Sequence, residues 1–310
     1  MKTSSMDNTV ADKSIDLIIT YVNGSDRQWL NDYIKYTKTH NPSAVRFRSW
    51  GTLIYLLRGV AEYMPFIRNV VLVVARPSQV PIWINEENVR IVYHDEFIPK
   101  EFLPTFNSCT IESFFWNIPD LADRVIYLND DMFPNAPVTE EDFFTDNIPH
   151  IKFTEPHNYA NYNIFRCQCR SSMDFITKAL GIPSFTTGQI IRPYHISGIM
   201  THSCFDAISK LGKDDLPNTI SRVRLKSNVN QYIYSYYYYF TNNYIDDIVD
   251  YAYYEIGDKS ILEINKDISD SIHKMICIND SDKIKEFAPI KYLLTSAFDK
   301  KFPHRCKYEK

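Results

Sequence analysis

Glycine is scarce. The 310-residue chain contains only 8, where ordinary globular usage is about 7%. No two of them fall into a G-x-G-x-x-G or a G-x-x-x-x-G-K-[ST] pattern, so a dinucleotide fingerprint and a Walker-type phosphate loop are both excluded. The six cysteines (Cys109, Cys167, Cys169, Cys204, Cys277 and Cys306) form no C-x-x-C pair. Their scatter argues against a structural zinc site and reads as reduced thiols in a cytosolic protein. Long apolar runs are missing as well. The first, Ile15 to Val22, is short and interrupted by Asp16 and Thr20, and the residues before it are polar, which predicts neither a signal peptide nor a membrane span there. Nor is one sign of charge in large excess: the net charge of −4 gives no global reason to bind nucleic acid or an anionic bilayer.

What the chain does have is aromatic side chains, 15% of residues, within an apolar fraction of 45%. That is ample for a core at this length. Asp16 to Val22 reads as a buried strand stopped by Asn23-Gly24. Leu53, Leu56, Leu57, Val60 and Met64 follow helical spacing up to Pro65. Val70–Val74, Val89–Tyr93 and Arg124–Leu128 read as further strands, and Asn107-Ser108 as the cap of a helix before the last of them. The order β-α-β-β-α-β predicts an α/β sheet with helices on its faces. Residues 145–190 look irregular, like a lid-like insertion. Helices are expected around 199–211, 228–242 and 289–300, with a short strand at Met275–Ile278. The run Tyr232 to Tyr239 is read first as a core helix with buried hydroxyl partners and second as a sugar-stacking surface.

Three strand ends carry chemistry. The strand ending in Tyr127-Leu128 runs into Asn129-Asp130-Asp131, two adjacent carboxylates whose repulsion a Mg²⁺ or Mn²⁺ ion or a proton would relieve; a capping turn fits the motif equally well. Asn23-Gly24-Ser25-Asp26 can approach a ligand or can simply form a βα turn with Ser25 or Asp26 as helix cap. Asn279-Asp280 ends the short strand near 275. In open α/β sheets such ends converge on one crevice. Among the basic residues, Arg46, Arg48, Arg58, Arg222 and Arg224 are candidates for phosphate, and exposed arginine is also ordinary surface. His195, in Arg192-Pro-Tyr-His195-Ile, is the histidine best placed before a helical segment, although a lone histidine is more often structural.

Taken together, these segments resemble the Stealth family of sugar-phosphate transferases. The resemblance rests on Ile15 to Asp26; on Arg46-Phe-Arg48, Leu57-Arg58, Gln79 to Trp83, Leu103 to Ser108, Ile111-Glu112 and Tyr127 to Phe133; on Tyr194-His195; and on Cys277 to Asp280. Departures are Tyr21 where the family commonly has Trp, Ser49 after the arginines, and Ser197-Gly198 in the third block. The resemblance implies a Rossmann-like, glycosyltransferase-A-like sheet flanked by helices, in one domain over 15–310 whose helical C-terminal part completes it, after a polar or disordered 1–14. It implies transfer of a sugar 1-phosphate, typically a hexosamine 1-phosphate, from a UDP-type nucleotide sugar such as UDP-GlcNAc to an acceptor sugar or polysaccharide, releasing the nucleoside monophosphate. By the same resemblance His195 is the base, Arg224 neutralises phosphate, and Asp130, Asp131 and Asp280 hold Mg²⁺ or Mn²⁺. Asn23, Gly24, Asp26, Arg48, Arg58, Asn107 and Ser108 would contact the donor. The expected setting is cytoplasmic, at the inner membrane face if membrane-associated at all. A metal-dependent glycosyltransferase and a non-catalytic carbohydrate-binding protein are the rival readings.

Overall fold

The computed structural model describes residues 13–38, 44–158, 163–183, 188–257 and 259–310. The reading of 1–14 therefore falls almost entirely outside the described residues, and so does the side chain of Arg46. The principal strands are β1 (Ile15–Thr20), β2 (Ile67–Val74), β3 (Val89–Tyr93), β4 (Arg124–Asn129), β5 (Met132–Pro134), β6 (Gly198–Thr201), β7 (Tyr251–Glu255) and β8 (Met275–Asn279). The principal helices are α1 (Arg27–Thr37), α2 (Leu53–Tyr63), α3 (Ser108–Glu112), α4 (Ile164–Ala179), α5 (His202–Gly212), α6 (Tyr232–Thr241), α7 (Ile261–Asp270) and α8 (Phe287–Lys301).

The main sheet has the order β6-β4-β1-β2-β3, parallel except for β6, which runs antiparallel to β4. Its strands read as continuous apolar runs because both faces are covered. Leu17, Ile19, Val70, Leu72, Ile126 and Leu128 point into a core shared with α2, α7 and α8. Ile18, Val71, Val73, Val125 and Tyr127 point into a second core with α4, α5 and α6. This is the mixed α/β, parallel-rich, Rossmann-like arrangement expected from the sequence. A smaller sheet, β7-β8-β5, continues directly from β4, since only Asp130 and Asp131 separate β4 from β5. No described helix is long and apolar enough to cross a membrane, and the six cysteines are free thiols.

Three expectations change in detail. The helix read from residue 199 begins only at His202, because 198–201 pairs with β4 and Thr201 then caps α5 by accepting from the Cys204 amide. A Cβ at Gly198 would lie 2.9 Å from Gln231 Oε1 and 3.2 Å from Tyr127 atoms, so the strand lies close against its neighbours there. The helix read from 228 begins at Tyr232. Asn228 and Asn230 turn their side-chain carbonyls onto the amides of Leu225 (2.7 Å) and Tyr232 (3.1 Å), local bonds that compete with helix. Third, the irregular-looking 145–190 stretch contains the sixteen-residue α4, capped by Asn163, with Cys169, Met173 and Ile176 fully buried against the second core.

The tyrosine run is core, as the first of its two readings holds. Tyr234 donates to the Glu112 carbonyl at 2.7 Å and Tyr236 to the Ile191 carbonyl at 2.7 Å. Tyr238 Oη lies 2.8 Å from Thr201 Oγ1 and accepts from the Thr201 amide. Buried phenols need such partners.

Gly59 gives a direct test of how α2 seats on the small sheet. A Cβ there would lie 2.7 Å from the Pro134 carbonyl oxygen, a backbone atom that has little room to yield. Gly59→Ala is expected to destabilise the chain by about 1–3 kcal/mol despite the better helix propensity of alanine. Calorimetric melting of the two proteins measures it; an unchanged or higher melting temperature would show that β5 shifts freely.

Candidate functional site

The carboxyl ends of β1, β4 and β8 meet in one place. Asp130, directly after β4, pushes up the Tyr21 phenol at the end of β1, though burial is the larger cause. Asp131 is pushed up to about 7, first by burial, then by the charge of Asp130 and more weakly by that of Asp280 after β8. Burial alone raises Asp130 to about 6. The Asp131 carbonyl accepts from the Ile278 amide at 2.8 Å, so this acidic turn is also the seam to β8. Its Oδ1 is buried without a hydrogen-bond partner among the described residues.

Asp280 has a different environment. Arg48 grips it with two guanidinium nitrogens, one at 2.6 Å, and donates a further bond to the Ser281 carbonyl at 2.9 Å. Two residues singled out from sequence are thus brought together, but as an ion pair. The described residues contain no cluster of three or more His, Cys, Asp or Glu arranged to hold a metal. The adjacent pair Asp130 and Asp131, with one orphaned oxygen, nevertheless fits a hard divalent cation of the kind that takes one or two carboxylates and completes its shell with water and substrate phosphates.

His195 and Arg224 are brought near one another despite the sequence between them, and Tyr253, which packs near the His195 ring and senses the charge of Asp131, links them to the acidic turn. His195 is pushed down to about 4, first by burial and then by the positive charges of Arg192 and Arg224. Its Nδ1 lies 3.1 Å from Tyr232 Oη, and its ring packs edge-on near Phe165 and Tyr253. Arg224 donates to Ser108 Oγ, while its Nε is buried and unpartnered among the described residues. Beneath it Glu112 is buried and raised by that burial. It accepts from the Gln231 amide at 2.9 Å and is held down in part by Arg224 and Ser108. Tyr127 Oη joins the two halves, 3.0 Å from Thr20 Oγ1, 2.5 Å from Asn129 Oδ1 and 3.5 Å from Glu112 Oε1.

The remaining residues named from sequence sit elsewhere in the scaffold. Asn23 exchanges bonds with Gln79 (2.6 and 3.2 Å) and closes an Asx turn onto the Ser25 amide. Gly24 is wedged so close to Phe47 that a Cβ would lie 2.1 Å from its carbonyl oxygen. Asp26 caps α1 through the Trp29 amide and accepts from Ser78. Asn107 is fully buried, capping α3 and donating to Ser221 O and Asn228 Oδ1 at 2.9 Å each. It therefore holds the loop that presents Arg224. Arg58 is consumed by both oxygens of Glu309 at 2.8 Å and by the Phe302 carbonyl, locking the C-terminal segment onto α2. A cavity of about 560 Å³ opens beside these turns, lined by Trp29, Arg76, Ser78, His94, Asp95 and Phe106 among others.

Sequence reading passed over Arg192 and Tyr253 and placed Tyr232 only within the tyrosine run. Arg192 stands three residues before His195 and was visible as Arg192-Pro-Tyr-His195; Tyr253 carried no local signal. The raised Asp131 makes a checkable statement about the ligand-free chain. Its folded state holds the proton more tightly than the unfolded state between the ordinary value of 3.8 and about 7, so this group's contribution to stability falls as pH rises through that window. Asp131→Asn is expected to raise the melting temperature by several degrees at pH 8, with the gain shrinking through pH 7 and vanishing near pH 4. A gain that does not change with pH would mean that Asp131 is well solvated.

Comparison with known proteins bears on the family of the chain. Residues 46–151 match conserved region 2 of Stealth proteins. The chain is 31% identical to an exopolysaccharide phosphotransferase of Lactiplantibacillus plantarum over 96% of each chain. It is 25% identical to a capsular polysaccharide phosphotransferase of Streptococcus pneumoniae over 96% of this chain and 98% of that one. A capsular polysaccharide phosphotransferase of Actinobacillus pleuropneumoniae is 35% identical over 150 residues, 45% of this chain and 41% of that one. A match to a conserved region of the family and a relative 31% identical over 96% of each chain lead to one conclusion: the chain belongs to the Stealth family of phosphotransferases.

Proposed function

We propose that the protein transfers a sugar 1-phosphate, a hexosamine 1-phosphate in the first instance, from a UDP-type nucleotide sugar such as UDP-GlcNAc to a hydroxyl of an acceptor sugar, in capsular or cell-surface polysaccharide synthesis. One observation supports the reading: Arg224 acts on His195 though the two are distant in sequence, and Tyr253 packs beside the His195 ring while sensing the charge of Asp131 in the acidic turn. The acceptor oxygen attacks the phosphorus that bears the sugar, the bond from that phosphorus to the bridging oxygen breaks, and the nucleoside monophosphate leaves. The anomeric C–O bond is untouched.

In this reaction His195 takes the acceptor proton on Nε2. That requires Nδ1–H to donate to Tyr232 Oη, the 3.1 Å contact, leaving Nε2 with the free lone pair. Arg224 neutralises charge on the transferring phosphoryl group and is oriented by Ser108. Asp130 and Asp131 would hold Mg²⁺ or Mn²⁺, which when bound supplies charge neutralisation for the diphosphate. Asp280, already paired with Arg48, would support that site from behind. The turn Asn23 to Asp26 and the neighbouring cavity would receive the nucleoside. The work would be done in the cytoplasm, where peripheral attachment to the inner membrane face brings donor and growing polymer together.

Incubation with a panel of nucleotide sugars, a divalent ion and candidate acceptors tests the reaction. Release of nucleoside monophosphate is expected, whereas release of the diphosphate would make the protein a glycosyltransferase. Exhaustive EDTA treatment should abolish turnover and added Mg²⁺ or Mn²⁺ restore it; undiminished turnover would remove the metal role. His195→Ala is expected to lower transfer at least a hundredfold with donor affinity by calorimetry unchanged within about twofold, as the base touches only the acceptor. Arg224→Ala should depress both, with Lys a partial substitute because it lacks the planar fork. A His195→Ala protein that keeps most of the rate would exclude this mechanism.

A further inference from the structure

The outer side of β7 faces the His195 loop across a short aromatic slot. Tyr253 and Tyr251 are two residues apart on β7 and so share one face of the strand. The Tyr253 ring lies 6.4 Å from the His195 ring, and the Tyr251 ring lies 5.9 Å from that of Tyr194. Strand register fixes the slot against the acidic turn. Tyr253 pairs with Cys277, and Cys277 with Met132, the residue after Asp131. Despite these neighbours Tyr253 remains 45% exposed and Tyr194 36%. Large aromatics left in solvent next to buried polar groups mark binding surfaces more than they mark core.

Arg192 supplies the polar counterpart. Its backbone is pinned on both sides by Thr154, which donates its amide to the Arg192 carbonyl at 2.9 Å and accepts the Arg192 amide on Oγ1 at 3.3 Å. The guanidinium sits 6.0 Å from the centre of the Phe165 ring, which itself flanks His195. Arg192 has no carboxylate partner among the described residues. A guanidinium with unspent donors beside exposed phenol rings suits a ligand with an apolar C–H face and a rim of hydroxyls. That is the description of a pyranose ring.

We propose that Tyr194 and Tyr253 form a stacking subsite for the acceptor's pyranose ring, with Arg192 binding its hydroxyls and so setting which hydroxyl meets His195. Tyr194 and Tyr253 are specificity-determining residues in this arrangement. The inference rests on the transfer reading in one respect only, that the hydroxyl presented to His195 belongs to a sugar.

The test is saturation-transfer NMR of the full chain with UDP and Mg²⁺ present, using the methyl glycosides of glucose, galactose and N-acetylglucosamine as probes. Wild type is expected to transfer saturation to ring protons of at least one glycoside. Tyr253→Ala and Tyr194→Ala should each reduce that signal fivefold or more, while Tyr253→Phe keeps most of it because the ring face is retained. Tyr292→Ala, which removes a tyrosine 70% exposed on α8, serves as the control and should leave the signal unchanged. Calorimetric UDP affinity should stay within twofold in every variant. Absence of transfer to all three glycosides, an unchanged signal in both alanine variants, or a loss of UDP affinity in Tyr253→Ala would each overturn the subsite, the last by assigning the ring to the donor. Tyr194→Ala, an exposed position, keeps the test valid if Tyr253→Ala folds poorly. Saturation transfer that depends on Tyr253, in a protein releasing no nucleoside monophosphate from any nucleotide sugar, would support the subsite and defeat the transfer reading alone.

Discussion

The chain must leave a five-stranded sheet and enter a three-stranded one with only two residues between them, and both residues are aspartates. This constraint organises the molecule. Because β5 follows β4 so closely, the Asp131 carbonyl is committed to the Ile278 amide, and the small sheet is hung from the acidic turn. Burial and, for Asp131, the neighbouring charge of Asp130 raise both carboxyls, and Asp131 is the more strongly raised of the two. A fold does not retain two desolvated carboxylates side by side for stability; such strain is characteristic of sites that bind charge. The two cores packed on opposite faces of the main sheet offset it.

The arginines around the site differ by what they touch, and the difference separates scaffold from chemistry. Arg58, Arg68 and Arg124 are each spent on a carboxylate, respectively Glu309, Asp16 and Glu140, and Arg58 and Arg124 are themselves largely buried. Replacing one partner of such a pair strands the other charge, so these are structural bonds. Arg48 belongs with them through Asp280, although its bond lies at the edge of the site and keeps Asp280 from adding a third uncompensated charge to Asp130 and Asp131. Arg192 and Arg224 have no such carboxylate pairing among the described residues, and both act on His195. Arg192 and Arg224 thus leave uncompensated positive charge beside His195.

This division explains how much could be read from the sequence. The parallel strands were legible because burial on both faces turns them into short β-branched runs with clear stop signals, and the acidic turn was legible because it interrupts such a run. His195 and Arg224 stood out as candidates from their neighbouring residues, but their roles as base and phosphate partner came only through family resemblance, since nothing local marks a histidine as a base. Arg58 and Asn107 looked like ligand contacts and are spent inside the scaffold, because a guanidinium or amide declares its chemistry in the sequence but not its partner. Glu309 lies 251 residues from Arg58, and Asn228 lies 121 from Asn107. Tyr253 was invisible for the converse reason. Its place beside His195 depends on strand register across β7, β8 and β5, which pairs residues that no local pattern connects.

The electrostatic design of the site follows from these placements. In the ligand-free protein, burial and two guanidinium groups oppose a proton on His195, while burial and mutual repulsion favour protons on the aspartates. The site therefore rests with the base neutral and the acids reluctant to ionise. In the proposed reaction an incoming diphosphate would reverse one half of this balance. Its negative charge would offset Arg192 and Arg224, two of the three influences that lower the histidine, and His195 would gain proton affinity as the acceptor hydroxyl is deprotonated. A divalent cation held as proposed would reverse the other half, drawing the aspartates into their ionised forms. The ligands that would relieve this balance are thus a cation between the strand ends and an anion between the arginines, and a nucleotide diphosphate with its metal would supply both together.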